Sequence, residues 1–528
     1  MINRIAYSAI ALALSGLAVS ANAGGKGVAA SAAPVIELSF LASHQGGGAE
    51  ISAFDPATKR LFITNAGDQS LEVVNISNPS APVAVKVIDL AAFGGPNSVA
   101  VHNGVVAVAV EAEPKTDPGH VVFFDTDGGY LAQVMVGSLP DMLTFTPNGR
   151  YLVVANEGEP NDDYTVDPEG TVSIIDMAGG VKNLSQGDVR TASFAAFNGA
   201  QLDASIRVFG PNASVAQDLE PEYIAVSADS RTAYVTLQEN NALAKIDIAA
   251  AEVASLTGLG FKDHSLPGNE LDASDRDGAI NIRNWPVFGM YQPDTVAAFS
   301  YLGKTHLVTA NEGDAREYEG TPGFVELERV RNVTLDPVAF PNGSTLRDNA
   351  NLGRLRITTT LGDTDGDGDF DELHAFGARS FSIWSSEGEQ VYDSGSVLER
   401  ITAAALPADF NSTDDENGSF DSRSDDKGPE PEGLAIGEAY GRTYAFVGLE
   451  RIGGVVVFDI SNPMAPTYIQ YINTRDFAGD AEQGTAGDLA PEGLLFIPRG
   501  ESPTGNPLLV VTNEVSGTTT VFSVGRAR

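Results

Sequence analysis

The residues with the clearest capacity for chemistry are acids set in pairs. In GPEPEGLAIGEAYGRTYAFVGLE (428–450), Glu432 precedes one short apolar strand and Glu450 follows the next. In an antiparallel hairpin the start of the first strand lies beside the end of the second, so these carboxyls are neighbours. The same pattern recurs at 49–66, 96–111, 140–157, 221–239, 293–312 and 491–514. The first marked position is acidic in Glu50, Asp141, Glu222, Asp294, Glu432 and Glu492, with Asn97 as the exception. The second is acidic in Glu111, Glu157, Glu239, Glu312, Glu450 and Glu514, with Ala66 as the exception. Converging carboxylates oppose one another's ionisation and require cations or hydrogen-bond donors. Hard cations such as Ca²⁺ suit oxygen ligands of this kind. Internal counter-charge is available from Arg316, Arg423, Lys427 and Arg451, which follow marked acids or lie in neighbouring insertions. Arg316 and Arg423 are also the candidates to clamp a phosphate or other anion. The competing reading is structural: the acids accept backbone N–H groups at turns, with a preceding proline shaping the entry.

A second metal signal lies in GDTDGDGDFDEL (362–373), where Asp363, Asp365, Asp367, Gly368 and Asp371 follow the spacing D-x-D-x-D-G-x-x-D. Alternate oxygen ligands with a glycine at the tight turn can wrap Ca²⁺, and the Asp369 carbonyl offers a further ligand. The twelfth position is His374 rather than a glutamate, and a strand, RSFSIW (379–384), follows, so the stretch looks more like a calcium loop between propeller strands than an EF-hand. A solvated acidic loop is the alternative. Two other acidic stretches, ELDASDRDG (270–278) and NSTDDENGSFDSRSDDKG (411–428), have irregular spacing, and the second leads into the 428–450 hairpin. The six histidines include no close pair at zinc spacing, and no G-x-S-x-G elbow occurs.

The elements that must position these acids are short Val, Ile, Phe, Tyr and Thr runs separated by Gly, Pro, Asn and Asp, the signature of an all-β protein. Seven hairpins, each followed by a further alternating strand such as GTVSIIDM, ALAKIDI or GVVVFDI, predict a single seven-bladed β-propeller. If the first strand of each hairpin lies nearest the axis, the marked acids line one rim of the channel. PVIELSFL (34–41) is expected to supply the outer strand of the last blade, so the propeller spans 34–525. Unequal repeat spacing places long loop insertions in blades 3, 4 and 5. An eight-bladed ring and a pair of smaller β domains are the competing folds.

Arg4, an apolar run from Ile5 to Val19, and Ala21 and Ala23 read as a secretory signal at 1–23, followed by a flexible 24–33. The product is expected to be secreted or periplasmic, with no membrane span, since no later stretch reaches the ~18–20 apolar residues required. There is no cysteine, hence no disulfide or thiolate metal site. A formal charge of -39 disfavours nucleic acid and anionic membranes and favours cations.

ANEGEPNDDY (155–164), NIRNWPVFGMYQPD (281–294), GDTDGDGDFDELHAFGARSFSIW (362–384) and FDSRSDDKGPEPEGLAIG (420–437) resemble the choice-of-anchor I family of secreted bacterial proteins. The resemblance implies a propeller-like fold. It carries no defined catalytic residues, although some relatives bear an alkaline phosphatase label. Two functions follow as expectations. One is an extracellular, calcium-binding module that captures a small-molecule or surface ligand at the propeller face. The other is a calcium-dependent, alkaline phosphatase-like phosphoesterase whose rim acids hold the ions.

Overall fold

The computed structural model describes residues 36–527. The secretory signal and the flexible 24–33 stretch lie outside the described residues. The chain is all-β, with seven four-stranded antiparallel sheets. They span 52–89, 96–138, 140–193, 221–258, 296–393, 431–472 and 491–526, and Ile36–Gln45 completes the seventh by pairing with Thr518–Arg526. That strand alternates as its sequence dictates, Ile36 and Leu38 inward and Glu37 and Ser39 outward.

The sheets follow one another in a cycle. The first strand of each touches the first strand of the next, and Pro491–Ile497 of the seventh touches Ser52–Asp55 of the first. A separate apolar core fills every junction. Phe62 and Val73 meet Val106 and Phe124 between the first and second sheets, and Leu61 and Ile63 meet Leu508 and Val510 between the first and seventh. The second and third strands are therefore buried on both faces, which is why VVAVAV (105–110) and VVVF (455–458) read as unbroken apolar runs. Each large side chain sealed in this way contributes about 1.5–3 kcal/mol.

Entry to the first strand uses one device repeatedly. Pro140, Pro221, Pro431 and Pro491 pair with Asn156, Leu237, Leu449 and Asn513, and the register then slips before the next pair. The marked acid sits in this bulge, which re-aims its side chain out of the ladder. In P-E-G-L, read at both 431–434 and 491–494, the glycine sets the spacing between sheets. A Cβ on Gly433 would stand 1.9 Å from the Glu492 carbonyl oxygen, and one on Gly493 2.3 Å from that of Glu50.

The insertions are more than loops. Phe261–Asp263 and Phe288–Met290, after the fourth sheet, join Leu327–Arg329, Arg356–Thr358 and His374–Ala375, from within the fifth, in one five-stranded sheet. Each strand is too short to stand alone, and together they cover a core of Trp285, Val287, Leu355, Ile357 and Leu373.

Candidate cation site at an acidic rim

The hairpins bring their marked acids to a common axis. The Tyr223 hydroxyl, from the fourth sheet, is raised by burial first and then by Asp294, Asp141 and Glu492, which come from the fifth, third and seventh sheets. Glu432 is pushed well above the usual carboxylate range by burial, then by Glu450, Glu312, Asp294 and Glu492. Glu492 is raised by burial and by Glu514, Glu50, Asp294 and Glu450. Burial and the Glu514 charge lift Glu50 to about 7, and burial with Glu159 and Glu239 lifts Asp141 to about 6. Glu111 is also raised, chiefly by burial. Glu514 is exposed at the mouth. Asn97 donates its side-chain N–H to the Pro140 carbonyl and, as the neutral member of its pair, also hydrogen-bonds the Glu111 carboxyl and favours its ionised form.

Three groups of acids approach closely enough to share a cation. Ligand oxygens of Glu157, Glu222 and Glu239 lie within 4.8 Å of one another, as do those of Asp294, Glu312 and Glu432, and those of Glu312, Glu430 and Glu450. Glu430 is an addition to the sequence reading. It precedes Pro431 and is fully buried, accepting from Arg423 Nε at 2.7 Å and from Arg451 Nε at 3.0 Å, with Lys427 Nζ at 3.2 Å. Burial alone would raise its carboxyl, but Lys427, Arg423 and Arg451 together bring it down to about 2. Glu220, before Pro221, holds the same position in the fourth sheet, but burial keeps its carboxyl well above the usual range, with Arg316 offsetting this only in part. It accepts from Arg316 Nε at 3.1 Å, while the other guanidinium nitrogens go to Asp218. The string E-P-E at 220–222 and 430–432 was the signal for both.

The four basic residues are therefore placed against protein acids. Lys427 donates to Glu312 Oε1 at 2.6 Å and to the Gly313 carbonyl at 2.6 Å. Arg451 reaches Glu450 at 3.1 Å and Asp414 at 2.6 Å. Arg316 is buried among Asp218 and Glu220 beneath the Phe209 ring. Arg423 is divided between Glu430 and Asp426, each at 2.7 Å. The acidic stretch 411–428 delivers Asp414, Arg423 and Lys427 to the rim.

The 362–373 loop lies apart, on the inserted sheet. Asp363, Asp365 and Asp371 form one close group, and Asp336, Asp369 and Asp371 a second. Asp363 accepts from the amides of Gly366 and Gly368, and Asp371 from the Thr364 amide and hydroxyl. Asp367 turns back to the Asp369 amide and joins neither group. Asp336 was not legible from the loop. It is delivered by the bridge between Leu335 and Phe370.

Among the described residues no helix is long and apolar enough to cross a membrane. A family model described as the choice-of-anchor I domain matches residues 50–463. Gigasin-3a of Magallana gigas is 35% identical over 194 residues, covering 34% of this chain and 66% of that protein. The mesenchyme-specific cell surface glycoprotein of Strongylocentrotus purpuratus is 28% identical over 283 residues, covering 48% of this chain and 36% of that protein. The chain thus spans just under two thirds of the first relative's length and about a third of the second's. Among solved structures, hydrazine synthase of Kuenenia stuttgartiensis aligns at TM-score 0.45 and 14% identity over 90% of this chain and 96% of that one. The β-propeller domain of Myceliophteria thermophila Cps50 (Swd1) aligns at 0.44 and 9% over 92% and 100%.

Proposed function

The chain belongs to the choice-of-anchor I family, and from that premise we propose that it is an extracellular or cell-surface binding module built on one seven-bladed β-propeller. The cyclic order of seven sheets, each junction with its own core, supports the blade count. Similarity to a protein named as a cell surface glycoprotein supports the location, as does the secretory signal read from the sequence. The rim takes a cationic or metal-bridged ligand, and Ca²⁺ bound in the 363–371 loop stiffens the inserted sheet.

One observation carries the reading: acids from at least four sheets converge on the axis, and the interior cations neutralise only part of them. A phosphoesterase would need a free cationic clamp. Arg316 and Arg423 are both committed to protein carboxylates, which favours binding over turnover.

The test is to export the protein and measure its retention on the producing cells with and without Ca²⁺, alongside hydrolysis of p-nitrophenyl phosphate. Calcium-dependent retention without hydrolysis is the expected result. Hydrolysis that responds to Ca²⁺ and is lost in Glu432→Gln and Glu450→Gln would replace the binding reading with the enzymatic one.

A further inference from the structure

The rim contains an internal comparison. In the sixth sheet, the trio Glu312, Glu430 and Glu450 consists of the hairpin-end acid of the preceding sheet, the hairpin-end acid of its own sheet, and an acid beside the entry proline. In the fourth sheet, Glu157 and Glu239 hold the places of Glu312 and Glu450, but the third acid, Glu222, follows the entry proline where Glu430 precedes it; the counterpart of Glu430 is Glu220. The two trios differ in what neutralises them. The sixth-sheet trio receives an ammonium group, Lys427 Nζ, 2.6 Å from Glu312 and 3.2 Å from Glu430, with Arg451 3.1 Å from Glu450. The fourth-sheet trio has no basic side chain within ion-pair distance among the described residues. Arg316, the cation nearest in effect to Glu239, gives its N–H groups to Asp218 and Glu220. Lys115 is paired with Glu159.

A second observation points to a missing partner. Glu222 and Glu239 are 8% and 5% exposed, Oε2 of each receives no N–H or hydroxyl donor among the described residues, and the two carboxyls lie within hydrogen-bond reach of each other. A buried carboxylate oxygen without a donor carries its full desolvation cost, and natural sites rarely leave two such oxygens side by side. Protein carboxylates select hard cations, and two oxygens on opposite sides of a Ca²⁺ ion at about 2.4 Å are about 4.8 Å apart. The ligand atoms here fall within that limit.

We propose that Glu157, Glu222 and Glu239 hold a divalent cation of the calcium class between the third and fourth sheets, at a point that no basic side chain reaches as Lys427 reaches Glu312 in the sixth. The proposal rests on the reading of the rim as a cation-binding surface and assigns it one defined site. Carbonyl oxygens and water complete the shell, as the ion's coordination number requires.

The experiment is equilibrium dialysis of the exported chain against Ca²⁺ after chelator treatment, with folding followed by circular dichroism. Asp363→Ala/Asp365→Ala removes the loop as a binder. In that background at least one Ca²⁺ per chain is expected to remain, and adding Glu222→Gln/Glu239→Gln is expected to weaken it at least tenfold. No Ca²⁺ bound in the loop variant, or unchanged binding after the glutamine changes, overturns the proposal. If the double glutamine protein does not fold, Glu157→Gln, at a half-buried position, is read in its place by the same criterion. Loss of cell retention with Ca²⁺ stoichiometry intact would refute the proposed function and leave this site standing.

Discussion

Lys427 and Glu312 are 115 residues apart in sequence, yet the lysine ammonium donates to the glutamate at 2.6 Å inside the rim. The contact ties the insertion after the fifth sheet to the end of that sheet's own hairpin. Both groups are buried, so neither finds water if the other is removed. Lys427→Met is expected to leave Glu312, Glu430 and Glu450 without their ammonium and to destabilise the fold by ~3–5 kcal/mol, the usual cost of orphaning a buried charge. Chemical denaturation measures this, and a loss under ~1 kcal/mol would show that water already screens the pair.

Arg316 serves the fold. Its guanidinium holds Asp218 and Glu220 and stacks on Phe209. Arg316→Met should therefore cost ~3–5 kcal/mol of stability and leave phosphate affinity, measured by titration calorimetry, unchanged. A variant of normal stability that has lost phosphate binding would return Arg316 to the role of an anion clamp.

Gly433 tests how the rim is assembled. A methyl group there meets the Glu492 carbonyl at 1.9 Å, and the obstacle is backbone rather than a mobile side chain. Gly433→Ala should force the sixth and seventh sheets apart at a cost of at least ~1–3 kcal/mol, as for overpacking elsewhere. Gly500→Ala, where an added Cβ meets nothing within 4 Å, serves as the control. Equal melting temperatures for the two variants would count against close packing at this junction.

The hairpins were legible because they carry two strong signals together, an entry Pro-acid pair and a short apolar run, as in PEYIAV and PEGLLFI. The closing strand Ile36–Gln45 was legible from its apolar-polar alternation. The five-stranded inserted sheet was not. Strands such as Phe261–Asp263 and His374–Ala375 are two or three residues long, too short to show a period, and their partners lie in other insertions. Asp336 was hidden likewise, since only the bridge from Leu335 to Phe370 brings it to the calcium loop. Glu220 and Glu430 were visible in the repeated E-P-E string, but their pairing with Arg316 and Lys427 depends on how the insertions fold back.

The rim acids set a pH dependence that runs against the usual one. Folded Glu50 and Asp141 titrate at about 7 and about 6, above their unfolded values of 4.5 and 3.8. The folded state therefore binds these protons more tightly, and their contribution is full at low pH and is lost as pH rises through those values. Glu430, brought down to about 2, acts oppositely, and its contribution is lost only as pH falls from 4.5 toward 2. Chelator-treated protein should melt at progressively lower temperature from pH 5 to pH 8, and added Ca²⁺ should recover more of the loss at pH 8 than at pH 5. A melting temperature that climbs over this range in chelator would mean that the rim acids stay ionised and compensated without metal.

The loop at 363–371 and Asp336 make separable contributions. In the first close group Asp363, Asp365 and Asp371 present oxygens to one point, and in the second Asp336 and Asp369 meet Asp371 from the other side. Asp371 alone also accepts from a hydroxyl, that of Thr364; the others accept from backbone amides or from no donor, so without an ion only those amides and solvent offset their mutual repulsion. Asp365→Ala should leave the melting temperature in chelator unchanged or slightly raised, and should abolish the calcium-induced increase contributed by this loop. Asp336→Ala should reduce that increase only if an ion sits between Asp369 and Asp371, which distinguishes the two groups. The measurement is differential scanning calorimetry of both variants in the Glu222→Gln/Glu239→Gln background, where the rim trio no longer binds. A melting-temperature loss in Asp365→Ala that is equally large in chelator and in Ca²⁺ would assign the residue to the fold and remove the loop as a calcium site.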